Sequence, residues 1–65
     1  MPIIRIDLLP GRTNLQIAQF TQEVTRLAVE VLKCTPETVD VIFTEVSENR
    51  WAHAGKLYSS TMENS

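Results

Sequence analysis

The feature that most constrains this fold is one long amphipathic segment lying between two runs of strand-forming residues. From Asn14 to about Lys33, apolar residues recur at steps of three and four, which predicts a helix about 30 Å long. Thr13 and Gln16 have the spacing of a capping box at its start. The apolar positions are Ile17, Phe20, Val24, Leu27, Ala28 and Val31. We expect this stripe to cover a sheet of the same chain rather than to bind a partner.

The flanking segments predict two strands and a short hairpin. Residues 1–8 alternate, with Pro2, Ile4, Ile6 and Leu8 on one face and Ile3, Arg5 and Asp7 on the other. Residues 39–46 are apolar on both faces, as expected of a buried parallel strand. Residues 51–57 indicate a hairpin with Gly55 at its turn. The sequence therefore predicts an α/β fold, a single β-α-β unit with a short C-terminal hairpin and a right-handed crossover.

Length and composition bound the class of protein. A chain of 65 residues forms one domain, 1–65, with a small core, and we expect residues 59–65 to fray. Since Cys34 is unique, no intrachain disulfide can add stability, and we expect association with other copies instead. No apolar run is long enough to span a membrane. A net charge of −2 with scattered basic residues argues against nucleic-acid binding. We expect a cytoplasmic protein without metal or cofactor.

Pro2 is the first candidate for chemistry. Aminopeptidase removes an initiator Met before a small residue, which leaves a secondary amine at the end of an apolar strand. Apolar surroundings or nearby cations lower the pKa of an α-amino group from about 8, and a neutral amine can act as a general base. The alternative is that Met-Pro is merely a common way to begin a chain.

Three further residues can complete a site around such an amine. Arg12 follows the turn after the first strand, where its guanidinium can bind a carboxylate. Trp51 supplies an apolar wall and His53 a second titratable group. Each also has an ordinary explanation: a solvated loop charge, a hairpin anchor and a surface residue. The combination with an N-terminal proline is more specific than any one of them.

From Pro2 to Leu57 the sequence resembles the 4-oxalocrotonate tautomerase family. The resemblance rests on the chain length, the start Met-Pro-Ile, the Leu9-x-Gly11-Arg12-Thr13 turn and the strand Val41-Ile42-Phe43-Thr44-Glu45. Trp51 and Gly55 stand where the family has its active-site aromatic and a hairpin glycine.

The resemblance implies an isomerase that needs no cofactor. Two β-α-β subunits would pair into a four-stranded sheet, and three such dimers would form a hexamer. Pro2 would be the general base that moves a proton in a small enol or unsaturated 2-oxo acid. Arg12 would bind the carboxylate, and Leu9 and Trp51 would line the substrate site.

Two positions depart from the family pattern. Asp40 stands where these tautomerases usually carry a second arginine, and a carboxylate there would repel a dianionic substrate. His53 stands where they are usually apolar and where the similar chloroacrylate dehalogenases have a water-activating carboxylate. Both replace family positions that face the substrate; the alternative for Asp40 is an ordinary charge at the edge of the strand.

Three hypotheses follow for function. The leading one is tautomerisation of a small carboxylate by a homo-oligomer. The second is a hydratase or dehalogenase in which His53 or Asp40 activates water. In the third, the chain is one subunit type of a heterohexamer and its proline is idle.

Overall fold

The computed structural model describes residues 1–59 and has the predicted order of elements. Two strands and one helix form the β-α-β unit: β1 (Ile3–Leu8), α1 (Asn14–Leu32) and β2 (Asp40–Glu45). A short hairpin follows, made of β3 (Ala52–His53) and β4 (Lys56–Leu57). Single 3-10 turns precede β2 and β3, at Pro36–Thr38 and Glu48–Arg50. β1 and β2 are parallel, in a register that places Ile3 opposite Asp40 and Leu8 opposite Glu45. The predicted fold of the unit is confirmed.

The start of α1 is fixed by the predicted capping box. The backbone N–H of Gln16 donates to Thr13 Oγ1 at 3.1 Å, and the backbone N–H of Thr13 donates to Gln16 Oε1 at 2.9 Å. The helix ends at Leu32, one residue before the predicted end, because Lys33 adopts the left-handed conformation with φ 59°. Both helix ends are therefore set by residues next to them in the sequence.

One face of the sheet packs against α1 and the other is open. Along β1, Ile4, Ile6 and Leu8 are half-buried while the intervening residues are exposed, as the alternation predicts. In β2, Val41 and Phe43 are half-buried, but Ile42 is 39% exposed. The prediction that β2 is buried on both faces is therefore wrong for the single chain. One helix can cover only one face of a two-stranded sheet.

The apolar stripe of α1 is wider than the sheet beneath it. Ala28 is buried, and Ile17 and Val24 are half-buried, as expected of residues that cover the sheet. Phe20, Leu27 and Val31 remain 47%, 52% and 62% exposed. Two strands about 4.8 Å apart are too narrow for the whole stripe. The stripe covers its own sheet as expected, but in the single chain the sheet leaves about half or more of the surface of the last three residues exposed.

The hairpin turns at Ala54 and Gly55, as the glycine predicts. Both residues have positive φ, 55° and 83°, which is the backbone of a two-residue type I′ turn. The predicted frayed tail, residues 59–65, lies outside the described residues except for Ser59, whose N–H donates to the Glu48 carbonyl oxygen. In the described part of the chain, α1 is not apolar enough to cross a membrane.

Candidate active site

Pro2 and Asp40 meet at the amino ends of the two parallel strands. Pro2 is half-buried and directly precedes β1. Its carbonyl oxygen accepts a hydrogen bond of 3.0 Å from the backbone N–H of Asp40. The Asp40 residue is exposed and lies opposite Ile3, on the face of the sheet away from α1. The structure thus brings a carboxylate residue next to the residue whose amine was predicted to act as a base.

Arg12 lies beyond the opposite end of the sheet, after the turn that follows β1. One of its guanidinium nitrogens, Nη1, donates to the carbonyl oxygen of Leu9 at 3.2 Å. Leu9 itself is half-buried. Within residues 1–59 this is the hydrogen bond that Arg12 makes, so its other N–H groups are available for an anion.

A cleft of about 360 Å³ opens beside Arg12, between α1 and the sheet. Its other lining residues are Gln16 and five apolar ones: Ile6, Leu8, Ile17, Phe20 and Phe43. The rings of Phe20 and Phe43 meet edge to face, with their centroids 6.1 Å apart. Such a cleft suits an apolar group that carries one anionic end.

The length of β1 separates Pro2 from Arg12 within one chain. Six residues of strand at about 3.3 Å each span about 20 Å, far more than one arginine side chain can bridge. One small substrate therefore cannot touch both residues of the same chain. The two predicted catalytic residues can share a substrate only across two copies.

Trp51 and His53 lie on the hairpin that follows β2. Trp51 is half-buried and stacks on Tyr58, with ring centroids 5.9 Å apart and an interplanar angle of 11°. His53 is exposed and pairs with Lys56 across the hairpin. Neither residue lines the cleft beside Arg12. The six predicted site residues thus fall into three groups: Pro2 with Asp40, Leu9 with Arg12, and Trp51 with His53.

Two residues of these surroundings were not predicted as part of a site. Tyr58 stands as far after the Ala54-Gly55 turn as Trp51 stands before it, and this symmetry is a sequence signal for an aromatic cross-strand pair. Gln16 was expected only as a helix cap, yet it lines the cleft with Arg12. No group of three potential metal ligands occurs among residues 1–59.

Comparisons with known proteins agree on one family. The family model described as Tautomerase enzyme matches residues 2–60. The chain is 36% identical to a probable tautomerase of Ralstonia nicotianae, over 97% of this chain and 90% of the relative.

Two solved structures share the fold over almost the whole chain. TomN, a 4-oxalocrotonate tautomerase homologue in the tomaymycin biosynthetic pathway, is 33% identical with a TM-score of 0.85 and covers 98% of this chain and 97% of its own. A heterohexamer 4-oxalocrotonate tautomerase from Chloroflexus aurantiacus J-10-fl is 25% identical with a TM-score of 0.86, over 92% of this chain and 97% of its own.

Proposed function

Because this chain belongs to the tautomerase family, we propose that it moves a proton within a small enol or unsaturated 2-oxo acid, with Pro2 as the general base. The enzyme is an isomerase, so its product has the same composition as its substrate. The nitrogen of Pro2 takes a proton from the enol and, as an ammonium, returns it to a carbon of the same molecule. No cofactor enters these steps.

The position of Pro2 carries this proposal. The residue is half-buried at the start of an apolar strand, where removal of Met1 leaves a secondary amine. Because an apolar setting disfavours the charged form of an amine, a neutral proline can accept a proton near neutral pH.

The substrate site is formed by two copies of the chain. The distance of about 20 Å along β1 places Arg12 out of reach of Pro2 in the same chain. Within residues 1–59, β1 and β2 each have one unpaired edge, and Leu27 and Val31 remain exposed. Pairing of these edges into a four-stranded sheet, and of three such dimers into a hexamer, covers that apolar surface and brings Arg12 of one copy to Pro2 of another.

Arg12 and its apolar cleft select the substrate class. The guanidinium binds the carboxylate, and the aromatic and aliphatic lining receives the rest of a small unsaturated acid. Leu9 orients Arg12 through its carbonyl oxygen. The hairpin follows the end of β2 that lies away from Pro2, so Trp51 would shield the Pro2 amine of a neighbouring copy from water. Pure mature protein should therefore convert phenylenolpyruvate, a monocarboxylic enol, to its keto form. Absence of turnover by the assembled protein would contradict this function.

Asp40 favours a monoacid over a diacid. Its backbone N–H donates to the Pro2 carbonyl oxygen. We propose that its carboxylate faces the substrate, where a second substrate carboxylate would meet a like charge at a cost of about 1 kcal/mol in water. We expect weak activity on 2-hydroxymuconate and better activity on phenylenolpyruvate. Asp40→Arg should shift the ratio of the two kcat/KM values toward the diacid by about fivefold or more.

Asp40→Asn is the matched control for charge. It removes the repulsion without adding a cation, so its ratio of kcat/KM values should lie between those of the wild type and Asp40→Arg. An unchanged ratio in both variants would mean that Asp40 is an ordinary charge at the edge of the strand.

A second candidate function is addition of water to an unsaturated acid. The backbone hydrogen bond between Asp40 and Pro2 favours it, since a carboxylate on the residue next to Pro2 is a candidate to take a proton from water. His53 is the other possible base, because a neutral imidazole nitrogen can accept a proton. In this case the wild type releases chloride from a chloroacrylate. With His53 as the base, His53→Ala abolishes that release while keeping phenylenolpyruvate turnover, and with Asp40 as the base, Asp40→Asn does so. A wild type that releases no chloride would exclude this candidate.

The third hypothesis is assembly with a different chain. The similar Chloroflexus protein is described as a heterohexamer. Assembly of the pure chain distinguishes the two cases. A homo-oligomer assembles from the pure chain and is active. A heterohexamer subunit needs its partner chain for assembly and for activity.

A further inference from the structure

We propose that Gln16 is a specificity-determining residue that binds the substrate carboxylate together with Arg12. This inference rests on the proposed function, since it concerns the same carboxylate. Gln16 and Arg12 line one cleft, and every other residue that lines it is apolar. A carboxylate in this cleft therefore has two side chains that can donate hydrogen bonds to it.

The capping box fixes the orientation of the Gln16 amide. The backbone N–H of Thr13 donates to Gln16 Oε1 at 2.9 Å. Because a backbone N–H can only donate, the amide oxygen must face Thr13 and the NH2 group must point away from it. The side chain is thus held in one orientation before any ligand binds.

The NH2 group held in this way remains available as a donor. In the described part of the chain, the Gln16 side chain makes one hydrogen bond, the one that it accepts from Thr13. Arg12 is likewise held, through Nη1 and the Leu9 carbonyl oxygen, with its remaining N–H groups available. One carboxylate oxygen can accept from the guanidinium and the other from the amide.

A neutral second donor matches the charge of a monoacid. Arg12 balances one carboxylate, and Gln16 satisfies its second oxygen without adding a further positive charge. Since both side chains are exposed, the oxygens of a carboxylate bound there exchange hydrogen bonds to water for hydrogen bonds to the protein. The amide therefore contributes to affinity as well as to orientation.

Gln16→Glu separates binding from helix capping. A glutamate at this position keeps the oxygen that accepts from Thr13, so the helix start and Tm should be retained. The NH2 donor becomes an anionic oxygen that repels a carboxylate. We expect the affinity for cinnamate, an unsaturated monocarboxylate that cannot tautomerise, to fall about 10- to 100-fold in isothermal titration.

Thr13→Ala is the matched control with the opposite signature. It removes the hydroxyl that caps α1 but keeps the backbone N–H that orients the Gln16 amide. Its Tm should fall by several degrees while its cinnamate affinity stays within about twofold of the wild type.

Turnover gives a further comparison. In Gln16→Glu, KM for phenylenolpyruvate should rise more than kcat falls, and the effect should disappear with the methyl ester, which has no carboxylate.

The outcomes distinguish this inference from the proposed function. Wild-type affinity for cinnamate in an assembled Gln16→Glu protein would overturn the role of Gln16, as would a wild type that binds no cinnamate. A wild type that binds cinnamate but does not convert phenylenolpyruvate would overturn the tautomerase activity. In that case, a loss of affinity in Gln16→Glu would still support the carboxylate contact.

Discussion

Pro2→Ala should lower kcat for phenylenolpyruvate by about 100-fold or more, because the primary amine of an N-terminal alanine is not held in position by a ring and is a poorly placed general base. The fold should not change, because the Pro2 carbonyl oxygen that accepts from Asp40 belongs to the backbone and remains in alanine. An absorbance assay of phenylenolpyruvate turnover gives kcat. The Tm and the mass of the assembled oligomer serve as the control for an unchanged fold.

The mass of the mature chain belongs to the same experiment. Alanine also permits removal of Met1, so both proteins should be lighter than their translated sequences by one methionine. A mature wild type that kept Met1 and full activity would contradict the mechanism, because the nitrogen of an acylated proline is an amide and cannot accept the proton.

Arg12→Ala should reduce kcat/KM for carboxylate substrates by about 10- to 100-fold, the value of a charged hydrogen-bond pair. Assembly should be unaffected, because Arg12 is exposed and, within residues 1–59, its hydrogen bond goes to Leu9 in its own turn. Arg12→Lys is the matched control, because it keeps the charge and loses the bidentate geometry. Its kcat/KM should lie between the values of the wild type and Arg12→Ala. An Arg12→Ala protein that dissociated into monomers would instead identify Arg12 as an interface residue.

The elements that form locally could be predicted from the sequence. The capping box of Thr13 and Gln16 begins α1 where expected, and the alternation of Ile4 and Ile6 gives the buried face of β1. These features depend on neighbours within a few residues. The exposure of Ile42 and Leu27 could not be predicted in this way, because it depends on how many layers cover the sheet and how wide the sheet is.

The candidate site was predictable as a set of residues but not as an arrangement. Pro2 and Arg12 are ten positions apart in the sequence, and a family resemblance groups them into one site. Only the direction of β1 shows that they lie at opposite ends of the sheet. Trp51 likewise was expected at the substrate, whereas in the single chain it stacks on Tyr58.

Complementation between two inactive variants tests the shared proline site most directly. Pro2→Ala and Arg12→Ala are unfolded together in equal amounts, refolded as mixed oligomers and assayed with phenylenolpyruvate, with each variant refolded alone as the control. Each site takes Pro2 from one copy and Arg12 from another, so random mixing should restore about a quarter of the wild-type sites. The mixture should regain about that fraction of activity, far above either variant alone. Mixed oligomers that form but stay as inactive as the separate variants would contradict a site built from Pro2 of one chain and Arg12 of its neighbour.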